Sequence, residues 1–251
     1  MSGHSHWATI KRAKGATDIL RGKLFSKLSK EITVAARMGG GDPGFNPRLR
    51  TAIDGAKAES MPADKIERAI KKGTGELQDG NIIEEFVYEG YGRGGVAVIV
   101  ETNSDNKNRT AAEIRSIFSK NEGNLAGSGS VAWMFKRKGY FCVDSRDEDA
   151  VLIATLDAGA EDVKSITEGI EVICPPDKYD VVEKALQGAR LPTKLARFTY
   201  IPDNLTPVVD EASSRSILNL ISLLGDQDDV QNVYANYDIP EEILTRIQAE
   251  I

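Results

Sequence analysis

A chain of 251 residues with 41% hydrophobic and 28% charged residues has the profile of an ordinary soluble protein of one to three domains. No run approaches eighteen apolar residues, so no membrane span is expected, and the basic N-terminus lacks the apolar stretch of a secretory signal. The net charge of −6 argues against a polyanionic partner, but residues 1–80 hold 15 Lys and Arg against 9 Asp and Glu, leaving 17 against 29 for the rest.

That asymmetry assigns any polyanion to the N-terminal part, because the acidic remainder repels phosphates. Cys142 and Cys174 are too few for a disulfide framework; they suit a reducing cytoplasm and read as small core residues.

In chain order, the leading arm SGHSHWATIKRAK holds both histidines, one of the two tryptophans and three cations. After Gly22, KLFSKLSKEITVAARM places Leu24, Leu28, Ile32 and Ala35 on one helical face and gathers Lys23, Lys27, Lys30 and Arg37 on the opposite side. GGGDPGFNP breaks this helix. Asn46 and Pro47 then give a cap and a first-turn proline for a second helix, with Leu49, Ile53 and Ala56 inward. Pro62 starts a third, with Ile66, Ala69 and Ile70 inward, Lys71 and Lys72 in the last turn and Gly73 as its stop.

From Glu84 the pattern turns to strands. EEFVYEG and VAVIVETN flank the glycine turn GYGRGG, a helix RTAAEIRSIFSKN follows, GNLAGSGS is a loop, and SVAWMF is predicted as a strand. GYFCVD, DEDAVLIATLDAG, EDVKSI, IEVICP, DKYDVVEKALQGA and ARFTYIP then alternate as βαββαβ, a ferredoxin-like order. A long apolar helix follows Pro207, with Ile217, Leu220, Ile221 and Leu224 on one face, then a strand DVQNVYANYD and a terminal helix.

GYGRGG, Gly90 to Gly95, matches the dinucleotide fingerprint GxGxxG, but that motif needs a following helix to hold the pyrophosphate. Here the β-branched run VAVIV follows, so a hairpin turn is expected instead. No phosphate-binding GxxxxGK loop occurs. His4 and His6 lack nearby cysteines to complete a metal site, and no motif pairs carboxylates for acid–base work. No catalytic residue, cofactor or metal is therefore assigned, and no small-molecule substrate is expected.

The arm and first helix remain. Residues 1–38 carry Lys11, Arg12, Lys14, Arg21, Lys23, Lys27, Lys30 and Arg37 against Asp18 and Glu31 alone. A solvated basic face and a membrane-surface helix are the competing readings, but the apolar face is needed to close the bundle. Phosphates of a nucleic acid fit the pattern better. With His4, His6 and Trp7 these cations form the expected nucleic-acid-binding set, with Arg48, Arg50, Lys71 and Lys72 as secondary candidates. Trp7 suits two roles, stacking on bases or pinning the arm to the domain.

SGHSHWATIKRAK, RGKLFSKLSKEITVAARMGGGDPGFNPRLR, MPADKIERAIKKGTGE, YEGYGRGGVAVIVE and NKNRTAAEIRSIFSKNEGNLAGSGSVAWMF together closely resemble the YebC/PmpR family of transcriptional regulatory proteins, related to mitochondrial translational activators. His6 stands where lysine is usual in that family, IKRAKGATDIL is less basic than typical, and Arg93 stands where proline is usual. The resemblance implies an α+β multidomain fold: an N-terminal helical bundle, a central α/β domain, and a ferredoxin-like domain inserted into the central one. Its segments here would be 1–80, then 81–133 with 203–251, and 134–202. It also implies a cytoplasmic, non-enzymatic regulator of transcription binding DNA, or an RNA- and ribosome-associated translation factor. No helix-turn-helix, zinc-finger or basic-zipper signature separates DNA from structured RNA, so phosphate contacts rather than base reading are expected.

Overall fold

The computed structural model describes residues 18–77 and 80–249. Its N-terminal part is built on α1 (Asp18–Gly39), α2 (Pro47–Ala58) and α3 (Ala63–Thr74). Asn46 caps α2, its side-chain oxygen accepting the Leu49 amide at 3.1 Å, and Pro47 fills the first turn. Ile32, Ala35, Leu49, Ile53, Ala56, Ile66 and Ala69 form the core, with Leu28 and Ile70 partly buried against it. Leu24, one turn nearer the helix start, is only half-buried.

Gly73 does not stop α3 as predicted. The helix runs on to Thr74, and Gly75, at φ +82°, is the left-handed cap. Gly73 serves a helix crossing instead: a Cβ there would lie 2.4 Å from the Thr33 carbonyl oxygen and 2.7 Å from the Ala36 methyl group. Periodicity along α3 cannot show this, because the crowding comes from α1.

The central sheet is built on a hairpin. β1 (Glu84–Tyr91) pairs antiparallel with β2 (Ala97–Ser104) from Glu84 opposite Ser104 to Tyr91 opposite Ala97. With β3 (Asn124–Leu125) and β9 (Val230–Ala235) the strand order is β3-β1-β2-β9. α4 (Lys107–Lys120) and α7 (Glu211–Asp226) cover one face, burying Val98, Val100, Ile114, Phe118, Ile217, Leu220 and Leu224. α1 also packs along β2 and β9. Asn103, at the alternate positions of β2 with Ile99 and Glu101, donates to Glu31 of α1 at 2.9 Å. A strand covered on both faces reads as a continuous apolar run rather than an alternation, hence VAVIV. The short parallel pair β8 (Thr206–Pro207) and β10 (Tyr237–Asp238), with α8 (Glu241–Ala249), completes this part.

Residues 135–201 form a separate compact unit. β4 (Phe135–Val143), α5 (Glu148–Leu156), β5 (Asp162–Ile166), β6 (Gly169–Cys174), α6 (Tyr179–Gly188) and β7 (Thr193–Pro202) follow the βαββαβ order, with sheet order β5-β6-β4-β7. Phe141, Val143, Val151, Ile170, Val172, Val182 and Leu186 fill its core. Both cysteines are buried outside any disulfide, and burial pushes the Cys174 thiol up to about 11, which suits packing and not nucleophilic chemistry.

SVAWMF corrects the sequence reading. Ala132–Met134 is a tight 3₁₀ turn, and the strand begins only at Phe135. The cause is Glu89, a buried β1 carboxylate that accepts the amides of Gly129 (2.7 Å), Val131 (2.7 Å) and Ala132 (2.8 Å). Burial alone would raise its pKa, but these backbone donors outweigh that and lower it. Amides committed to a carboxylate cannot join a strand ladder.

Candidate nucleic-acid interface

α1 places Lys23, Lys27 and Lys30 on one side of the helix, at the spacing of successive turns. That side meets the turn that leaves α7. Lys23 Nζ lies 3.5 Å from Asp228 Oδ1, and Lys27 Nζ donates to the Gly225 carbonyl at 2.6 Å. Lys30 Nζ donates to the Asp228 carbonyl at 3.0 Å and to Asp229 Oδ1 at 2.6 Å. Gly225 lies in the last turn of α7, where carbonyls lack intrahelical partners and the helix dipole favours cations. Lys27 thus caps the end of α7 from another element, while Lys23 and Lys30 hold the acidic turn just beyond it.

Asp229 is the hub of this contact, with a side chain only 3% exposed. Its second oxygen accepts from Arg109 (2.9 Å), Thr110 Oγ1 (2.6 Å) and Ser104 Oγ (3.2 Å). Burial would raise the carboxyl pKa, but donation from Lys30, Thr110 and Arg109 prevails and holds it far below the usual carboxylate range.

A second polar junction surrounds Arg48. Its guanidinium pairs with both Glu85 oxygens and with Glu31, whose other oxygen accepts from Asn103. Arg48 is therefore engaged inside the molecule. Beneath it Glu101 accepts from Asn232 and Tyr234, each at 3.0 Å; burial raises its pKa, with Glu31 and Glu85 adding to the rise.

The expected set therefore divides by place. His4, His6, Trp7, Lys11, Arg12 and Lys14 lie outside the described residues. Lys23, Lys27 and Lys30 face the end of α7. Arg21 and Arg37 are exposed on α1. Arg50 donates to the Pro43 carbonyl at 3.2 Å, Lys71 pairs with Glu67 at 2.6 Å one turn back, and Lys72 is half-buried. Sequence reasoning passed over Phe45, whose side chain stands almost wholly in solvent in the α1–α2 loop. A large aromatic inside the polar run GDPGFNP was the available signal.

GYGRGG is the turn of the β1–β2 hairpin. Gly94 and Gly95 adopt φ +73° and +79°, Gly92 donates to the Val96 carbonyl at 2.8 Å, and the chain runs straight into β2. A pyrophosphate has no helix N-terminus to meet there.

Residues 5–76 match the family model for the N-terminal domain of TACO1/YebC proteins, and residues 83–237 match the model for their second and third domains. A probable transcriptional regulatory protein of Desulfatibacillum aliphaticivorans is 56% identical over 97% of this chain and 99% of its own. One of the same description from Methylacidiphilum infernorum is 53% identical over 99% of this chain and 100% of its own. The crystal structure of a conserved hypothetical protein from Aquifex aeolicus superposes with a TM-score of 0.84 at 46% identity, covering 92% of this chain and 96% of that one.

Proposed function

Because the chain belongs to the TACO1/YebC family, we propose that it is a non-enzymatic, nucleic-acid-binding regulator of gene expression, acting on DNA through its basic N-terminal bundle. The observation that carries this reading is the segregation of charge. Residues 1–80 hold 15 cations against 9 anions in a protein that is otherwise acidic. The names of the relatives, probable transcriptional regulatory protein, point the same way.

The cations divide the work. Lys27 and Lys30 are held by the end of α7, so a phosphate reaches them only in competition with the Gly225 carbonyl and the Asp229 carboxylate. Arg21 and Arg37, together with Lys11, Arg12 and Lys14 of the arm, are the cations offered first. His4, His6 and Trp7 supplement them as adjustable charge and aromatic surface.

A second reading, an RNA- or ribosome-associated translation factor, is favoured by the surface of α3. That helix shows Asp64 and the Glu67–Lys71 pair to solvent beside Lys65 and Arg68. Mixed charge there suits contact with phosphates and shape more than base reading in a major groove.

Electrophoretic shift of duplex DNA and of structured RNA at matched salt tests the proposal, with ribosome co-sedimentation alongside. If about six phosphates are neutralised, log affinity falls with log salt at a slope near −5 on duplex DNA. A salt-independent signal, or none with either polymer, overturns it. Co-sedimentation without DNA binding assigns the second reading.

A further inference from the structure

We propose that the loop between α1 and α2 is a stacking platform for an unpaired nucleobase. Phe45 is the platform, and Arg37 and Arg50 contact the flanking phosphates. The proposal rests on the nucleic-acid reading above and gives it a ligand class: single-stranded or looped segments in preference to continuous duplex.

Phe45 is 88% exposed, although nothing in its loop forces it outward for want of order. The buried Asn46 carboxamide donates to the Ala35 and Gly40 carbonyls, each at 2.8 Å, while its oxygen caps α2. Asp42 accepts the Gly44 amide at 2.8 Å, and the Phe45 amide closes a turn on the Asp42 carbonyl at 3.2 Å. A Cβ on Gly41 would come within 2.7 Å of the Thr74 methyl group, so the loop lies tight on α3. The backbone under the ring is fixed before any ligand arrives, which keeps the ordering cost of binding small.

The surroundings select the ligand. Arg37 closes the last turn of α1 and is exposed, and Arg50 reaches the loop through the Pro43 carbonyl. The nearest acid in the sequence, Asp42, is already hydrogen-bonded to the Gly44 amide. Besides Asp42, the residues that precede Phe45 from the end of α1 onward are Met38, Gly39, Gly40, Gly41, Pro43 and Gly44. That is too little apolar surface to build the water-excluding rim of a protein hot spot. An exposed aromatic face, with one arginine at the end of α1 and another bonded to the loop from α2, is instead what a base with its phosphates needs, and every base has a π-face. Bases inside a duplex are stacked on each other and cannot reach it.

Fluorescence anisotropy of the full chain tests this with three probes of equal length: a uridine RNA oligomer, a thymidine DNA oligomer and a duplex DNA. Phe45→Ala should lose about tenfold or more affinity for the single strands, with unchanged salt slope and unchanged duplex affinity. Phe45→Trp should retain single-strand binding and show indole quenching as either oligomer is added. Arg37→Gln with Arg50→Gln should weaken binding of every probe and flatten the salt slope by about 2 on the duplex. Preference for the uridine oligomer would assign RNA, and equal binding would assign the base face alone. Wild-type protein that binds single strands while Phe45→Ala stays within about twofold overturns the platform and leaves the nucleic-acid reading standing. Equal losses on single strands and duplex overturn it as well. Wild-type protein that binds no probe overturns the platform together with the DNA reading.

Discussion

Replacing Asp229 by asparagine tests how the helical bundle is fastened to the central sheet. The carboxylate is 3% exposed and takes Lys30 on one oxygen and Arg109, Thr110 and Ser104 on the other. Asparagine keeps the shape but only one acceptor atom, and its NH₂ group must face donors on the other side. Removing one partner of a fully buried pair costs about 3–5 kcal/mol. Here the Lys30 and Arg109 side chains are 19% and 46% exposed, so water recovers part of their solvation and the expected loss is about 2–3 kcal/mol. Urea unfolding at neutral pH should show that loss as a lower midpoint at unchanged slope. Lys30→Met combined with Asp229→Asn should cost clearly less than the two single changes added. The sign with pH is also set. A carboxyl lowered in the folded state stabilises it above its unfolded value of about 3.9 and loses that contribution as pH falls below it. The gap between wild type and Asp229→Asn should therefore be full at neutral pH and close in acid. A loss under about 0.5 kcal/mol, or a gap that persists in acid, would refute the reasoning.

Gly73→Ala places a methyl group 2.4 Å from the Thr33 carbonyl oxygen and should destabilise the bundle by about 1–3 kcal/mol, read as a lower melting temperature; an unchanged melt would show that the helices separate freely. Glutamate at Lys23, Lys27 and Lys30 sets carboxylates against the Gly225 carbonyl, Asp228 and Asp229, so stability and nucleic-acid affinity should fall together. Arg21→Glu with Arg37→Glu, on exposed positions, should lower affinity alone, and thermal melts beside binding curves separate the two cases. His4→Gln with His6→Gln should flatten the rise in affinity as pH falls from about 8 to 6, because imidazoles beside phosphates gain protons in that range. Full retention of the pH dependence would make both histidines spectators.

Much of the fold was legible along the chain because its signals are local. Asn46 with Pro47 announced the start of α2, the glycines of GYGRGG followed by VAVIV marked a hairpin, and alternating strand and helix patterns from Gly139 to Ile201 spelled out βαββαβ. Misreadings arose where a distant group claimed the backbone: Glu89 took the amides that SVAWMF would have used as a strand, and Thr33 made Gly73 a contact residue instead of a stop.

The basic side of α1 shows the division most clearly. Composition and helical period determined that residues 1–80 are cationic and that Lys23, Lys27 and Lys30 share a face, since charge count and a repeat of 3.6 residues belong to the sequence itself. Only the tertiary structure decided that this face meets the end of α7, because Gly225 and Asp229 lie 198 and 199 residues further along the chain. It likewise decided that Phe45 stands out from a rigid loop, through the hydrogen bonds of Asn46 to Ala35 and Gly40. A helical repeat reports that a side chain points away from its own core; what it then meets depends on which other surface folds against it.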